Sequence, residues 1–233
     1  DLKHLSYIGL VGFIDPVREE VKKSISECHQ AGIKVIMITG DHPLTALTIA
    51  KELNIADSEE NLATGSSLEE ASLKGEKNFD NYVKSKTVFS RVTPKDKLNI
   101  ITSLKRMGEF VAVTGDGVND APAIKSANIG IAMGSGTDVA KEAASMIVVD
   151  DNFKSITEGI KEGRVAYANI RKIVLFLISC GLAEVLFCLL SIIKGYDIPL
   201  LAIQLLWINI VTDGLQDMAM SFEKSNKNIM KTP

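Results

Sequence analysis

Apolar and polar positions divide this chain into two regimes. Up to about residue 160, short apolar runs alternate with charged stretches of helical period, whereas from Ile173 to Phe222 apolar residues dominate. In the first regime the pattern predicts a strand over Tyr7–Ile14, then a helix from Val17 to about His29, opened by Pro16 and stopped at Ala31-Gly32. A buried strand over Ile33–Ile38 follows, then a helix from His42-Pro43 to about Leu53. Residues 57–86 are polar and charged and predict a surface insertion. The alternation resumes with strand Thr87–Phe89, helix Pro94–Met107, strand Phe110–Val113 and a short helix after Asn119. Strand Ile129–Ala132, helix Thr137–Ala144 and strand Met146–Val149 complete it. Strands alternating with helices imply an α/β domain with a doubly wound parallel sheet.

The second regime holds two apolar stretches, 173–193 and 198–222, joined by the turn-forming Lys194-Gly-Tyr-Asp197. Each has the ~20 residues that a helix needs to cross a hydrocarbon core of about 30 Å, so an antiparallel membrane hairpin is predicted. A helix over Asn152–Tyr167 is expected to run straight into the first span. Arg164, Arg171 and Lys172 precede that span, and Lys224, Lys227 and Lys231 follow the second. This bias places both outer ends and the water-soluble part, residues 1–160, on the cytoplasmic side of a multi-pass membrane protein.

Composition changes the picture little. A net charge of −3 with no basic stripe gives no pointer to nucleic acid, and no such partner is expected. Cys28, Cys180 and Cys188 lack metal-ligand spacing and are expected to be reduced thiols. The chain starts without Met and stops on Lys231-Thr-Pro233 inside a loop-like stretch, which predicts a piece of a longer protein.

Three segments carry chemistry in the soluble part. Thr114-Gly-Asp-Gly-Val-Asn-Asp-Ala-Pro122 sets Asp116 and Asp120 in a glycine-punctuated turn after the apolar Phe110–Val113. That is a hard-cation site at the carboxyl end of a buried strand, where open α/β sheets bind their ligands, and it predicts Mg²⁺ with a phosphoryl group. Thr39-Gly40-Asp41 offers a hydroxyl and backbone N–H groups near a helix start, suited either to a phosphoryl oxygen or to capping the helix. Lys97 stands in the first turn of its helix, where a cation works against the dipole, and neutralising a phosphoryl group would give it a task.

In the apolar part, Glu184 lies mid-span, where an ionised carboxylate costs roughly 2.5–3.5 kcal/mol and is a functional candidate by default. Cys180, Gly181, Glu184, Cys188 and Ser191 fall on one helical face. Asn209, Thr212 and Asp213 share a face of the second span, and Asp213-Gly214 invites local unwinding. Oxygen ligands of this kind favour a hard cation or a proton.

These segments resemble the P-type ATPases, and within them the type II, calcium-pump-like cation pumps, whose phosphorylation domain belongs to the haloacid-dehalogenase superfamily. The likeness runs through Asp15-Pro-Val-Arg18, Met37-Ile-Thr-Gly-Asp41, Thr114 to Pro122, Ile129-Gly-Ile-Ala-Met-Gly-Ser-Gly-Thr137, Asp150-Asp-Asn-Phe153 and Leu206-Trp-Ile-Asn-Ile-Val-Thr-Asp-Gly214. The resemblance implies that Thr39, Gly40, Asp41, Lys97 and Asn119 serve the phosphoryl group and nucleotide. It implies that Asp116, shaped by Asn119 and Asp120, binds Mg²⁺, with Asp15 and Arg18 at a hinge. It further implies ATP as substrate and ligation of a transported cation by Glu184, Asn209, Thr212 and Asp213, Ca²⁺ being favoured.

The family's nucleophile motif, Asp-Lys-Thr-Gly-Thr, does not occur here, so the resemblance implies the later half of a phosphorylation domain plus the fifth and sixth membrane helices. Its sheet would lack the nucleophile strand, and the chain alone would be inactive without the remaining domains of its polypeptide. Calcium pumps usually carry Asn where Gly181 stands and Pro-Ala where Gln216-Asp217 stands. Asp217 is therefore open as an added ligand, a proton site or neither. A soluble-type phosphohydrolase and an inactive membrane interaction protein from a truncated gene are the competing readings.

Overall fold

The computed structural model describes residues 8–9, 11, 17–224 and 228–231. The strand expected over Tyr7–Ile14 falls largely, and Asp15 wholly, outside them. The chain forms two compact units, Asp1–Ser26 with Lys34–Phe153, and Glu27–Ile33 with Lys154–Pro233.

The first unit is α/β. Its elements in chain order are α1 (Glu19–Gln30, which runs on into the second unit), β1 (Met37–Ile38), α2 (Pro43–Glu52), β2 (Leu62–Thr64), α3 (Gly65–Leu73), α4 (Glu76–Lys84), β3 (Val88–Ser90), α5 (Pro94–Arg106), β4 (Ala112–Gly115), α6 (Ala121–Ser126), β5 (Ile129–Met133), α7 (Asp138–Ala143) and β6 (Met146–Val148). All strand pairs are parallel, as the alternating pattern predicts, but they form two three-stranded sheets, β1-β3-β2 and β4-β5-β6. β1 and β4 each stand at an outer position of their sheet. β1 spans only Met37–Ile38 where a strand from Ile33 was expected, in keeping with a strand paired on one side alone.

Residues 57–86 are not a surface insertion. They supply β2, paired with β3 in register Ala63↔Phe89, and the helices α3 and α4. Leu68, Ala71, Phe79 and Val83 pack with Phe89, Ile100 and Leu104 in one core cluster. Asp80 on α4 takes a forked pair of hydrogen bonds from Arg106, Nε to Oδ2 at 2.8 Å and Nη2 to Oδ1 at 2.6 Å, and one from Ser103 Oγ. The Arg106 guanidinium holds the Asp80 carboxyl below the usual carboxylate range. A second cluster joins Ile25, Ala46, Leu47, Ala50 and Val88 on the other side of the first sheet.

The second unit is helical. α8 (Phe153–Ile193) is a single helix of 41 residues, charged in its first half and carrying a stretch of mean hydropathy 2.7 in its second. Among the described residues it is the one helix long and apolar enough to cross a membrane. The predicted junction between the Asn152 helix and the span is therefore continuous. α8 ends where Gly195 takes φ +75° and Tyr196 N–H bonds Ser191 O at 3.0 Å, with Gly195 N–H on Ile192 O. This left-handed stop favours glycine. A second rod follows: α9 (Ala202–Trp207), a π-helical turn (Ile208–Asp213) and α10 (Gly214–Ser221).

The rods meet at the charged end of α8. Buried Asn169 donates to Ser221 O (3.2 Å) and Glu223 O (2.9 Å), and Lys172 pairs with Glu223 at 2.6 Å. Cys28, within 3.8 Å of the Thr157 hydroxyl, is a free buried thiol whose pKa is pushed up by burial.

Candidate functional site

The first turn of α5 is the hub of the soluble site. Thr93 caps it: its N–H and hydroxyl donate to Asp96 Oδ2 at 2.9 and 2.7 Å, Asp96 N–H returns to Thr93 Oγ1, and Pro94 occupies the first helical position. The turn just before this cap holds the β1 loop, with Arg91 N–H on Asp41 O (3.3 Å) and Val92 N–H on Thr39 O (3.4 Å). Thr39 itself continues the sheet through its N–H to Phe89 O at 2.8 Å. Its hydroxyl donates to Asp41 Oδ2 at 2.8 Å and accepts from Asp41 N–H at 3.1 Å. Capping of α2 falls to His42, whose Nδ1 accepts from Leu44 N–H, so Thr39 is not the helix cap.

One turn into α5, Lys97 reaches Asp120 Oδ1 at 2.5 Å, with both side chains mostly shielded (20% and 16% exposed). The other Asp120 oxygen accepts Gly117 N–H at 3.3 Å. Gly115 makes room for this carboxylate, since a Cβ there would stand 2.6 Å from Asp120 Cβ. The loop after β5 pins Asp116 from behind: Thr137 N–H donates to Asp116 O at 2.8 Å, and a Cβ on Gly136 would approach that oxygen to 3.0 Å and Met133 O to 2.9 Å. The Asp116 side chain is exposed and bonds no described residue; Asn119 is also exposed. Thus Thr39-Gly40-Asp41 and the Asp116–Asp120 turn are both tied to the start of α5.

Mg²⁺ is commonly held by one or two carboxylates, waters and substrate phosphates. An exposed Asp116 on a pinned backbone fits that role, whereas Asp120 is already matched by Lys97. Among the described residues no three acidic, histidine or cysteine side chains stand close enough to hold a metal by themselves. The pinning by Gly136 and Thr137 was not recognised from sequence, although Thr137 preceding Asp138 is a helix-cap signature.

In the helical unit, Ile173, Phe176, Cys180, Gly181, Glu184, Cys188 and Ser191 are the partly shielded positions of the α8 span. The expected stripe is thus the inner face. On the second rod Asp213 is 4% exposed, but Asn209 and Thr212 are exposed, Asn209 Nδ2 bonding Leu205 O at 2.9 Å. The three positions expected to share a face thus differ in exposure. Gly214 N–H bonds Asn209 O, five residues back, so the helix is widened by one residue across them. Asp213 and Gly214 keep helical torsions, so the backbone is widened here and not unwound.

The haloacid dehalogenase-like hydrolase model matches residues 2–128, and the model for the C-terminus of cation transporting ATPases matches 197–233. The chain belongs to the haloacid dehalogenase-like hydrolases, on their P-type ATPase branch. It is 47% identical to a calcium-transporting ATPase of Bacillus subtilis over 98% of this chain and 26% of that protein. It is 44% identical to the endoplasmic reticulum calcium ATPase srcA of Aspergillus fumigatus over 98% of this chain and 24% of that protein. The chain therefore spans about a quarter of the length of these P-type relatives. A solved zinc-transporting PIB-type ATPase in its E2.Pi state matches 89% of this chain and 27% of its own, with TM-score 0.60 and 28% identity.

Proposed function

We propose that this chain is the later part of the phosphorylation domain (1–160) and a membrane hairpin (161–233, spans about 173–193 and 198–222) of an ATP-driven pump for a hard cation, Ca²⁺ foremost. The unbroken α8 carries this reading: one helix begins shortly after β6 and bears Glu184 in its apolar half. Calcium-transporting relatives over nearly the whole chain support the choice of ion. The basic residues flanking the spans support a cytoplasmic soluble part.

In this reading Thr39 and Gly40 receive the phosphoryl oxygens, and the Asp41 carboxylate orients the Thr39 hydroxyl. Lys97, tethered by Asp120, brings positive charge to the same edge. Asp116 would hold Mg²⁺, with Asn119 and Asp120 shaping the loop; the ion supplies neutralisation of the transferring phosphoryl group. A strand carrying the family's Asp nucleophile, from the rest of the polypeptide, would pair between the outer strands β1 and β4. The isolated chain is accordingly expected to be inactive.

Gly136→Ala should push the Asp116 backbone out of place, because the contacts its Cβ meets are main-chain atoms. In the complete pump we expect a fall of at least about tenfold in Mg²⁺-dependent phosphoenzyme formation, measured at graded Mg²⁺, since ångström-scale misplacement costs up to about 10². The decisive experiment for the whole reading is ATP hydrolysis by the reconstituted complete protein. Micromolar Ca²⁺ is expected to stimulate it and chelation to remove the stimulation; hydrolysis indifferent to every added cation would refute a pump.

A further inference from the structure

α10 contains one acidic side chain, Asp217, to which the function above gives no role. Asp217 lies one turn beyond Asp213 on α10, hence on the same face. Asp213 is 4% exposed, and its Oδ2 has no hydrogen-bond partner among the described residues; Asp217 Oδ1 is likewise shielded and unpartnered among them. Both carboxylates, like Glu184, act electrostatically on the Cys180 thiol on the inner face of α8, although the described side chains alone do not close up enough to hold a metal and further oxygen ligands must complete the site. The spans offer no compensation, for neither 173–193 nor 198–222 contains Lys, Arg or His. Buried carboxylate oxygens without donors are strongly disfavoured, and one divalent ion matches only two of the three charges. The π turn immediately before Asp213 adds a second irregularity of the kind found at functional sites.

We propose that Asp217 is a further carboxylate of the cation site, extending it one turn along α10 and biasing it toward divalent ions. The inference rests on the pump reading and goes beyond it in assigning a ligand and a selectivity role. Added negative charge among oxygen ligands tightens divalent binding more than monovalent binding, because the attraction scales with ion charge.

The test uses the complete reconstituted pump, with Ca²⁺ as probe. Asp217→Asn is expected to raise the Ca²⁺ concentration for half-maximal phosphorylation by ATP about tenfold or more. Cation-free phosphorylation by inorganic phosphate should survive, and Asp217→Glu should restore most of the Ca²⁺ affinity. An Asp217→Asn curve superimposed on the parent while Asp213→Asn is shifted overturns the inference alone. If both superimpose, the ion-site reading of this face fails as well. Should Asp217→Asn not fold, the unmodified pump still decides: Ca²⁺ should protect Asp217 from carbodiimide coupling, read by peptide mass spectrometry, and equal labelling with and without Ca²⁺ overturns the proposal.

Discussion

Asp116→Asn in the complete pump is expected to cut ATP-dependent phosphoenzyme formation by about 10²–10³-fold at fixed Mg²⁺, since each 1.4 kcal/mol of lost stabilisation is about tenfold and a metal ligand supplies several. The substitution is nearly isosteric, and Thr137 N–H still holds the Asp116 carbonyl, so the loop should stay in place. Raising Mg²⁺ should recover part of the activity, which separates a weakened ligand from a collapsed loop. Phosphoenzyme formed at the parental rate and Mg²⁺ dependence would remove Asp116 from the metal site.

The second large effect is expected for Glu184→Gln. Glu184 is partly shielded on the inner face of α8, and no cationic side chain lies in either span. Removing one unit charge close to a divalent ion should weaken its binding by about 10–100-fold, a Coulomb loss reduced by the lower cost of burying a neutral amide. The readout is the cation concentration that supports phosphorylation by ATP; phosphorylation by inorganic phosphate should not require the ion. An unchanged cation dependence would exclude Glu184 from the transport site.

Much of this architecture was legible in the chain because apolar runs and helical repeats mark its elements. The inner stripe of the α8 span is a plain helical repeat, and the strands that end at Gly115 and Met133 were placed by short apolar runs before glycine turns; β4, expected to be buried, is instead half exposed at the outer position of its sheet. Residues 57–86 misled because α3 and α4 each bury one narrow face. Leu68, Ala71, Phe79 and Val83 are outnumbered by charged neighbours, and their low average hydropathy conceals the amphipathic spacing. The sequence marked an irregularity at Asp213-Gly214 but not its kind, since an inserted residue in a helix changes which side chains align without changing composition. The competition between Thr39 and His42 for the α2 cap was decided by Pro43, which fixes the first helical position next to His42.

The uninterrupted course of α8 also sets a scale for motion. From Phe153 to Glu184 the axis covers about 46 Å at 1.5 Å per residue. As a stiff lever pivoting at its first turn, it would swing the carboxylate sideways by about 8 Å for a tilt of about 10°. Such an arm needs only a modest angular stroke to move Glu184 by most of the ~10 Å width of a helix.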